Sequence, residues 1–232
     1  MSSYFDHFIL IQIINPYITD SFFIIFLVIL LYYLINFNFL IPNRLQNIIK
    51  LIINHWLTVI NENLGVKSKY FVLPLLTLFM LILGINLFGF FLYTFPSTTH
   101  LTLTFGMAVS FWVGIIIYGF IRFKDLLFSM FMPTGAPLAL SPLLVMIELI
   151  SNISRPVALG MRLAANLTAG HLLLSILADF GCKMLLFNSI SNLFPIFIIM
   201  FITALEMGVL IIQAYVFCLL LMIYLKDSIE LH

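Results

Sequence analysis

Ionisable and amide side chains interrupt a long apolar stretch of this chain between residues 148 and 171. The stretch reads ELISNISRPVALGMRLAANLTAGH and holds a carboxylate, two arginines, two asparagines and a histidine. Placing one charge at the centre of a bilayer costs on the order of 3 kcal/mol, so ionisable residues in such helices mark an ion or substrate path. The side chains that could do this chemistry are Glu148, Arg155, Arg162, Asn166 and His171, followed downstream by Glu206 and Gln213.

Helical spacing places the first group on two faces of one helix. At about 100° per residue, Glu148, Arg155 and Asn166 lie within about 40° of Arg162. His171 lies about 180° from Arg162, on the opposite face. One helix therefore presents two polar surfaces that are separated by its own thickness.

A second long helix follows and carries Glu206 and Gln213, which are seven residues apart and share a face. If the two helices pack as an antiparallel hairpin, we expect Glu206 to approach His171 and Gln213 to approach the level of Arg162. A gap between Glu206 and His171 that one or two waters cannot bridge would contradict this arrangement.

Protonation chemistry divides these side chains into two roles. Arginine stays protonated under ordinary conditions, so Arg162 cannot relay a proton and acts as a fixed positive charge. Glu148, His171 and Glu206 can gain and lose protons, which makes them candidate relay groups. A permanent cation beside titratable groups is the arrangement that forces a passing carboxylic acid to release its proton.

Structural roles compete with these interpretations. An ion pair with Glu148 would give Arg155 a purely structural function. Asp179 and Lys183 lie near the turn between the long helices, where solvated charges are common. A single membrane histidine such as His171 is often only hydrogen-bonded to a neighbouring helix. The ordering of the polar groups on two faces of one hairpin favours the functional interpretation.

The composition indicates that these residues belong to an all-α polytopic membrane protein. Of the 232 residues, 63% are hydrophobic and 8% are charged, whereas globular domains carry about 25% charged residues. The net charge of +1, without a basic cluster, argues against nucleic acid as a partner. Cys182 and Cys218 show no metal-binding spacing, and we interpret both as packing residues. We expect no metal site and no cofactor.

One membrane domain, residues 1–232, is predicted. Its elements are a first transmembrane helix at 21–41, an amphipathic helix at 43–64, a transmembrane hairpin at 70–123 and a long helical hairpin at 139–226. The amphipathic helix suits the membrane interface, a partner surface or an ordinary connector. Each arm of the long hairpin would measure about 60 Å against a hydrocarbon core of about 30 Å, so both must be steeply tilted, curved or broken.

Basic residues near the ends of the spans predict the orientation. By the positive-inside rule the N-terminus lies outside and the C-terminus inside, which requires five crossings. The residues that carry this assignment are Arg44, Lys50, Lys67, Lys69, Arg122, Lys124 and Lys226, with Lys183 on the opposite side.

The motif RPVALGMRLAANLTAGHLLL, with a glutamate 14 residues before Arg162 and EMGVLIIQAYVF downstream, resembles subunit a of the rotary F-type ATP synthase, the mitochondrial ATP synthase subunit 6. The resemblance is specific over 139–226, looser upstream and poor before residue 70. It implies a non-catalytic proton-channel subunit that stands beside a ring of proton-carrying hairpin subunits. Its two long helices would then lie nearly in the membrane plane.

The resemblance also implies roles for individual residues near the ring. Arg162 matches the essential arginine that faces the ring carboxylate, keeps it ionised and blocks a direct proton leak. Asn166 and Gln213 match polar positions near that arginine.

The remaining matches fall in two half-channels. His171 and Glu206 match the pair in the half-channel open to the outer side, and Glu148 matches the acid of the half-channel open to the inner side. Histidine on the first helix and glutamate on the second resembles the mitochondrial arrangement, which implies the mitochondrial inner membrane rather than a bacterial plasma membrane. Implied partners are the ring, the peripheral stalk, other ATP synthase membrane subunits and the lipid bilayer.

Two other classes of function remain open from the residues alone. A secondary transporter would hold its charges around a midplane site, usually between repeated halves, and this chain shows no internal repeat. A structural membrane anchor would tolerate neutralisation of Glu148, Arg162, His171 and Glu206. The chain contains no GxxxxGK[ST] phosphate-binding loop.

Overall fold

The computed structural model describes residues 44–65, 68–90, 96–123, 141–186 and 193–229, together with residues 25, 26 and 29. Apart from those three positions, the predicted first transmembrane helix at 21–41 lies outside the described residues. The count of five crossings and the orientation of the chain therefore stay predictions.

The described residues form helices joined by short connections, which confirms the all-α prediction. The helices are α1 (Arg44–Leu64), α2 (Ser68–Phe90), α3 (Leu101–Phe123), α4 (Ser141–Leu186) and α5 (Leu193–Ile229), with a short 3-10 helix at Ser97–Thr99 between α2 and α3. Their ends lie within a few residues of the limits expected for the amphipathic helix and the two hairpins. Within the long hairpin, the first arm α4 ends at Leu186 and the second arm α5 begins at Leu193.

The amphipathic helix α1 buries its apolar face against the protein's own core. Trp56, Ile60 and Leu64 recur every four residues and are all buried. The Trp56 ring lies 4.8 Å from Phe79 of α2 and 5.1 Å from Tyr215 of α5, measured between ring centroids. This face of α1 is therefore an internal packing surface between α2 and α5.

Four of the described helices are long and apolar enough to cross a membrane, with candidate spans at Tyr70–Phe90, Leu101–Phe123, Ser141–Met184 and Pro195–Ile229. With 46 residues, α4 measures about 69 Å at 1.5 Å per residue. The 37 residues of α5 measure about 56 Å. Because the hydrocarbon core is about 30 Å thick, neither helix can stand upright within it.

The core lies where α2, α3, α4 and α5 meet. Phe217, Cys218 and Met222 of α5 are buried there with Phe79 and Ile82 of α2. The buried position of Cys218 confirms that it is a packing residue. For Cys182 that interpretation is wrong, because this cysteine is exposed on α4.

Helices α3 and α4 cross at close range. A Cβ atom at Gly160 would lie 3.0 Å from the Cα of Phe105, so a larger residue there would push the helices apart. Elsewhere in the same α3–α4 interface, the Trp112 indole Nε1 donates a hydrogen bond to Asn152 Oδ1 at 3.2 Å. These contacts hold the polar stripe of α4 in a defined rotation.

Candidate functional site

Arg162 lies on the exposed surface of α4. The apolar side chains of Leu159 and Leu163, which flank it in sequence, are each 3% exposed and face the core. Among the described residues, both ion pairs involve Arg155, and no carboxylate lies within ion-pair distance of the Arg162 guanidinium. The guanidinium is therefore presented away from the described part of its own chain.

An amide contact links the Arg162 stripe to the second helix of the hairpin. Asn166 Nδ2 donates a hydrogen bond to Gln213 Oε1 at 3.0 Å. Gln213 is 7% exposed, and Asn166 lies one helical turn beyond Arg162. The antiparallel hairpin thus brings Gln213 to the level of Arg162, as the spacing predicts.

Glu206 lies directly against the backbone of α4 beside His171. Its carboxyl group occupies the space that a Cβ atom at Gly170 would need. Glu206 is 7% exposed, and neither carboxyl oxygen has a hydrogen-bond partner among the described residues. Glu206 therefore places a buried carboxyl group at one end of the contact between α4 and α5.

His171 contacts the upstream hairpin as well. Its Nε2 atom lies 2.9 Å from the carbonyl oxygen of Gly89 in α2. Because a carbonyl oxygen can only accept, the imidazole carries a hydrogen on Nε2 in this contact. His171 thus lies between Glu206 and α2. The contact with Gly89 is the hydrogen bond to a neighbouring helix that the structural interpretation of His171 expects.

Two glycines that sequence reasoning did not connect to the site shape this region. Gly170 makes room for the Glu206 carboxyl group, and Gly89 supplies the carbonyl that His171 contacts. The sequence alone assigns no partner to Gly89. A glycine in an apolar helix indicates that another helix can approach closely in lipid. Local spacing does not show that His171 is the residue that contacts Gly89.

Comparison with known proteins identifies the family of this chain. The family model described as ATP synthase A chain matches residues 18–226. The chain belongs to the ATP synthase A chain family. The match begins well before residue 70, so the resemblance extends over the N-terminal part that the motifs alone left unmatched.

Relatives in the ATP synthase A chain family align over most of the chain. ATP synthase subunit a of Metridium senile is 45% identical over 232 residues, covering 100% of this chain and 99% of that protein. ATP synthase subunit a of Oenothera berteroana is 44% identical over 202 residues, covering 83% of this chain and 72% of its own length. The Brassica napus protein of the same name is 42% identical over 202 residues, with 83% and 77% coverage. Like this family, the chain is a multi-pass membrane protein.

The acid at the other end of the Arg162 stripe, Glu148, contacts a second arginine. Arg155 Nη2 lies 3.9 Å from Glu148 Oε1, and Arg155 Nη1 lies 3.5 Å from Asp227 Oδ2 of α5. The Arg155 guanidinium also lies 5.0 Å from the centre of the Tyr224 ring. The structural interpretation of Arg155 is supported by these contacts, while Asp227 is an acid near Glu148 that sequence reasoning missed.

Among the described residues, the remaining charged and metal-ligating groups form no further cluster. Asp179 and Lys183 are both exposed near the end of α4, as expected for solvated charges. Across the described ranges, no three His, Cys, Asp or Glu side chains come together in a group that could hold a metal ion.

Substitution of Gly170 tests the placement of Glu206. We expect Gly170→Ala to reduce proton flux through the assembled complex about tenfold, because the added methyl group displaces the Glu206 carboxyl group by overlap. Gly208→Ala is the matched control, since a Cβ atom at Gly208 meets nothing within 4 Å. Proton uptake into reconstituted vesicles measures both variants. Equal flux in the two would show that the position of Glu206 is unimportant.

Proposed function

We propose that this chain is the proton-translocating subunit in the membrane sector of an ATP synthase. Two offset half-channels pass protons to and from the carboxylates of a rotating ring, and Arg162 prevents a direct leak. The observation that carries this proposal is the exposed Arg162 guanidinium, which no described carboxylate of the chain neutralises. A permanent cation in an apolar helix requires an anionic partner, so the partner carboxylate comes from another subunit.

The outer half-channel ends at Glu206 and His171. A buried carboxyl group without a protein hydrogen-bond partner is suited to exchange protons with water. His171 stands beside it and can hold a proton on either ring nitrogen. Protons therefore enter from the outer side along this pair and neutralise a ring carboxylate.

The inner half-channel opens at Glu148. Its side chain is 46% exposed and it shares the Arg162 stripe of α4. The 23 residues that separate Glu148 from His171 correspond to about 35 Å along the helix. Because Glu148 and His171 are far apart and lie on opposite faces of α4, a proton can pass from one half-channel to the other only by travelling on the ring.

The driving force for this path is electrical as well as chemical. Moving one elementary charge across the membrane releases about 2.3 kcal/mol per 100 mV. The offset between the half-channels converts that energy into ring rotation. The chain itself binds no nucleotide in this scheme, and the peripheral stalk and other ATP synthase subunits hold it in place. The histidine on α4 and glutamate on α5 support the mitochondrial inner membrane as the location.

Cysteine cross-linking to the ring tests the proposed partner. Ala158 and Ala165 are exposed on α4, one turn before and one turn after Arg162. With Cys182 and Cys218 replaced by alanine, we expect Ala158→Cys and Ala165→Cys to form disulfides with a cysteine placed beside the ring carboxylate. Ile117→Cys, on an exposed surface of α3, is the control that should give no product. Absence of ring adducts at both α4 positions would overturn the proposed partner.

A further inference from the structure

An apolar groove lies between α2, α3 and the last part of α5, with a volume of about 360 Å³. Leu75, Leu221 and Leu225 line it and are each at most 6% exposed, so they form its floor. None of its lining residues belongs to α4 or to the proposed proton path. The groove is therefore a feature of the chain that the proposed function does not use.

One face of α3 forms a wall of this groove. Ser110, Gly114 and Tyr118 line the wall at four-residue spacing, with Phe111 and Ile115 beside them. At 1.5 Å per residue, the wall is about 12 Å long. A Cβ atom at Gly114, in the middle of the wall, would meet nothing within 4 Å. The lack of a side chain at Gly114 therefore keeps the groove open.

The two hydroxyl groups of the lining already have partners. Ser110 Oγ donates to the carbonyl oxygen of Met107 at 2.9 Å. The Tyr118 hydroxyl accepts a hydrogen bond from Arg122 Nη1 at 3.3 Å. The other lining residues are apolar. Because a buried polar group costs free energy unless it is hydrogen-bonded, hydrocarbon is the occupant that suits most of the length of the groove.

Three helix ends meet at the Tyr118 end of the groove. Phe71, in the first turn of α2, packs edge-on against Tyr118, near the end of α3, with the ring centroids 5.1 Å apart. Leu225, near the end of α5, lines the same groove. Arg122 lies one turn beyond Tyr118, and Lys226 directly follows Leu225. Two cations therefore mark this end of the groove.

No carboxylate of the described residues neutralises these two cations. Both ion pairs of the described ranges involve Arg155, and the neighbour of Lys226, Asp227, is held by Arg155 Nη1 at 3.5 Å. The Tyr118 oxygen accepts from Arg122 and keeps its own hydrogen as a donor. Positive charge and hydrogen-bond donors at one end of an apolar groove are complementary to a phosphate group that is joined to a hydrocarbon chain.

The predicted orientation places this end of the groove at the inner face of the membrane. Arg122 and Lys226 are among the basic residues that the positive-inside rule assigns to that side, as are Lys67 and Lys69, which precede Phe71 in the sequence. Basic residues between helices at this face of a membrane attract anionic lipid headgroups. The charge of the groove end thus favours an anionic lipid over a neutral one.

We propose that this groove binds an anionic phospholipid of the bilayer. One acyl chain lies along Leu221 and Gly114, and the phosphate group lies at Arg122 and Lys226. The volume favours an acyl chain over a further helix, because a helix about 10 Å across and 12 Å long needs about 900 Å³, whereas the groove holds about 360 Å³. The predicted first transmembrane helix at 21–41 is therefore too wide to fill it.

Photo-labelling of the intact complex tests this binding. The complex is placed in phosphatidylcholine vesicles that contain a trace of phosphatidylglycerol with a diazirine group in one acyl chain, and labelled peptides are identified by mass spectrometry. Phosphatidylcholine with the same diazirine chain is the control for the headgroup. We expect the anionic probe to label the groove residues of α2 and α3 about 25-fold more, since each of the two basic residues contributes about fivefold.

A pair of glycine variants tests the place of the acyl chain. We expect Gly114→Leu to lose most of the label, because the new side chain occupies the groove without a clash at its Cβ atom. Gly106→Leu is the matched control and should keep the label, since a Cβ atom at Gly106 also meets nothing within 4 Å and Gly106 does not line the groove. Equal labelling of the two variants would overturn the proposal.

The headgroup contact is tested by a change at the surface. We expect Arg122→Gln to lower labelling by the anionic probe about fivefold and to leave labelling by the neutral probe unchanged. Equal labelling of the unaltered chain by the two probes would overturn the assignment of an anionic lipid. A groove that neither probe labels would show that a protein segment covers it, and this result would overturn the lipid site as a whole.

Discussion

Arg162→Gln is expected to abolish ATP-driven proton pumping while the complex still assembles. Glutamine retains a polar, hydrogen-bonding side chain but lacks the fixed charge that forces a ring carboxylate to release its proton. Arg162 is exposed, and surface substitutions of this kind change stability by only about 0.5 kcal/mol. The loss of pumping should therefore not be accompanied by loss of the complex.

Quenching of a pH-sensitive dye in inverted vesicles measures this result, and gel electrophoresis of the intact complex measures assembly. Arg122→Gln is the matched control, because Arg122 is an exposed arginine in the last turn of α3 whose Nη1 donates to the Tyr118 hydroxyl of the same helix at 3.3 Å. We expect Arg122→Gln to pump normally. Normal coupled pumping by Arg162→Gln would overturn the assigned role of this arginine.

Glu206→Gln is expected to slow proton flux about 100-fold, within the range over which positioned acids and bases accelerate proton transfer. Glutamine has nearly the same size and fits the space beside Gly170, so the packing of the hairpin is retained. The amide cannot take up and release a proton, so the proposed outer half-channel is interrupted at this position. Assembly should be unaffected.

Passive proton uptake under an imposed membrane potential, followed from about pH 6 to 8, measures the change. Glu62→Gln is the control, since Glu62 is exposed on α1 and lies outside the proposed path. Unaltered flux in Glu206→Gln across this pH range would remove the residue from the relay.

Local sequence patterns predicted the helices well, because a helix depends on the spacing of residues that are close in sequence. The helical spacing of apolar residues such as Ile52, Trp56 and Ile60 indicated α1. Long apolar runs broken by proline and glycine indicated the other helices. The angular phase of Glu148, Arg162 and Asn166 placed the stripe of α4 with the backbone geometry of a helix alone.

Tertiary contacts account for what the sequence did not reveal. The fit of Glu206 against Gly170 depends on the rotation and register of two helices, which local spacing does not determine. Asp227 reaches Arg155 only because the end of α5 returns beside the start of α4. Gly114 could be recognised as a small residue in an apolar run, but the groove beside it depends on the positions of α2 and α5.

The contact of Trp56 with Phe79 and Tyr215 has a mechanical consequence. Tyr215 lies two residues after Gln213 on the helix that also carries Glu206. In the proposed function a ring turns against Arg162 and exerts a reaction torque on the hairpin, and a slender helix pair would bend under that load. By bracing α5 against α1 and α2, the aromatic contact would stiffen the hairpin against this torque.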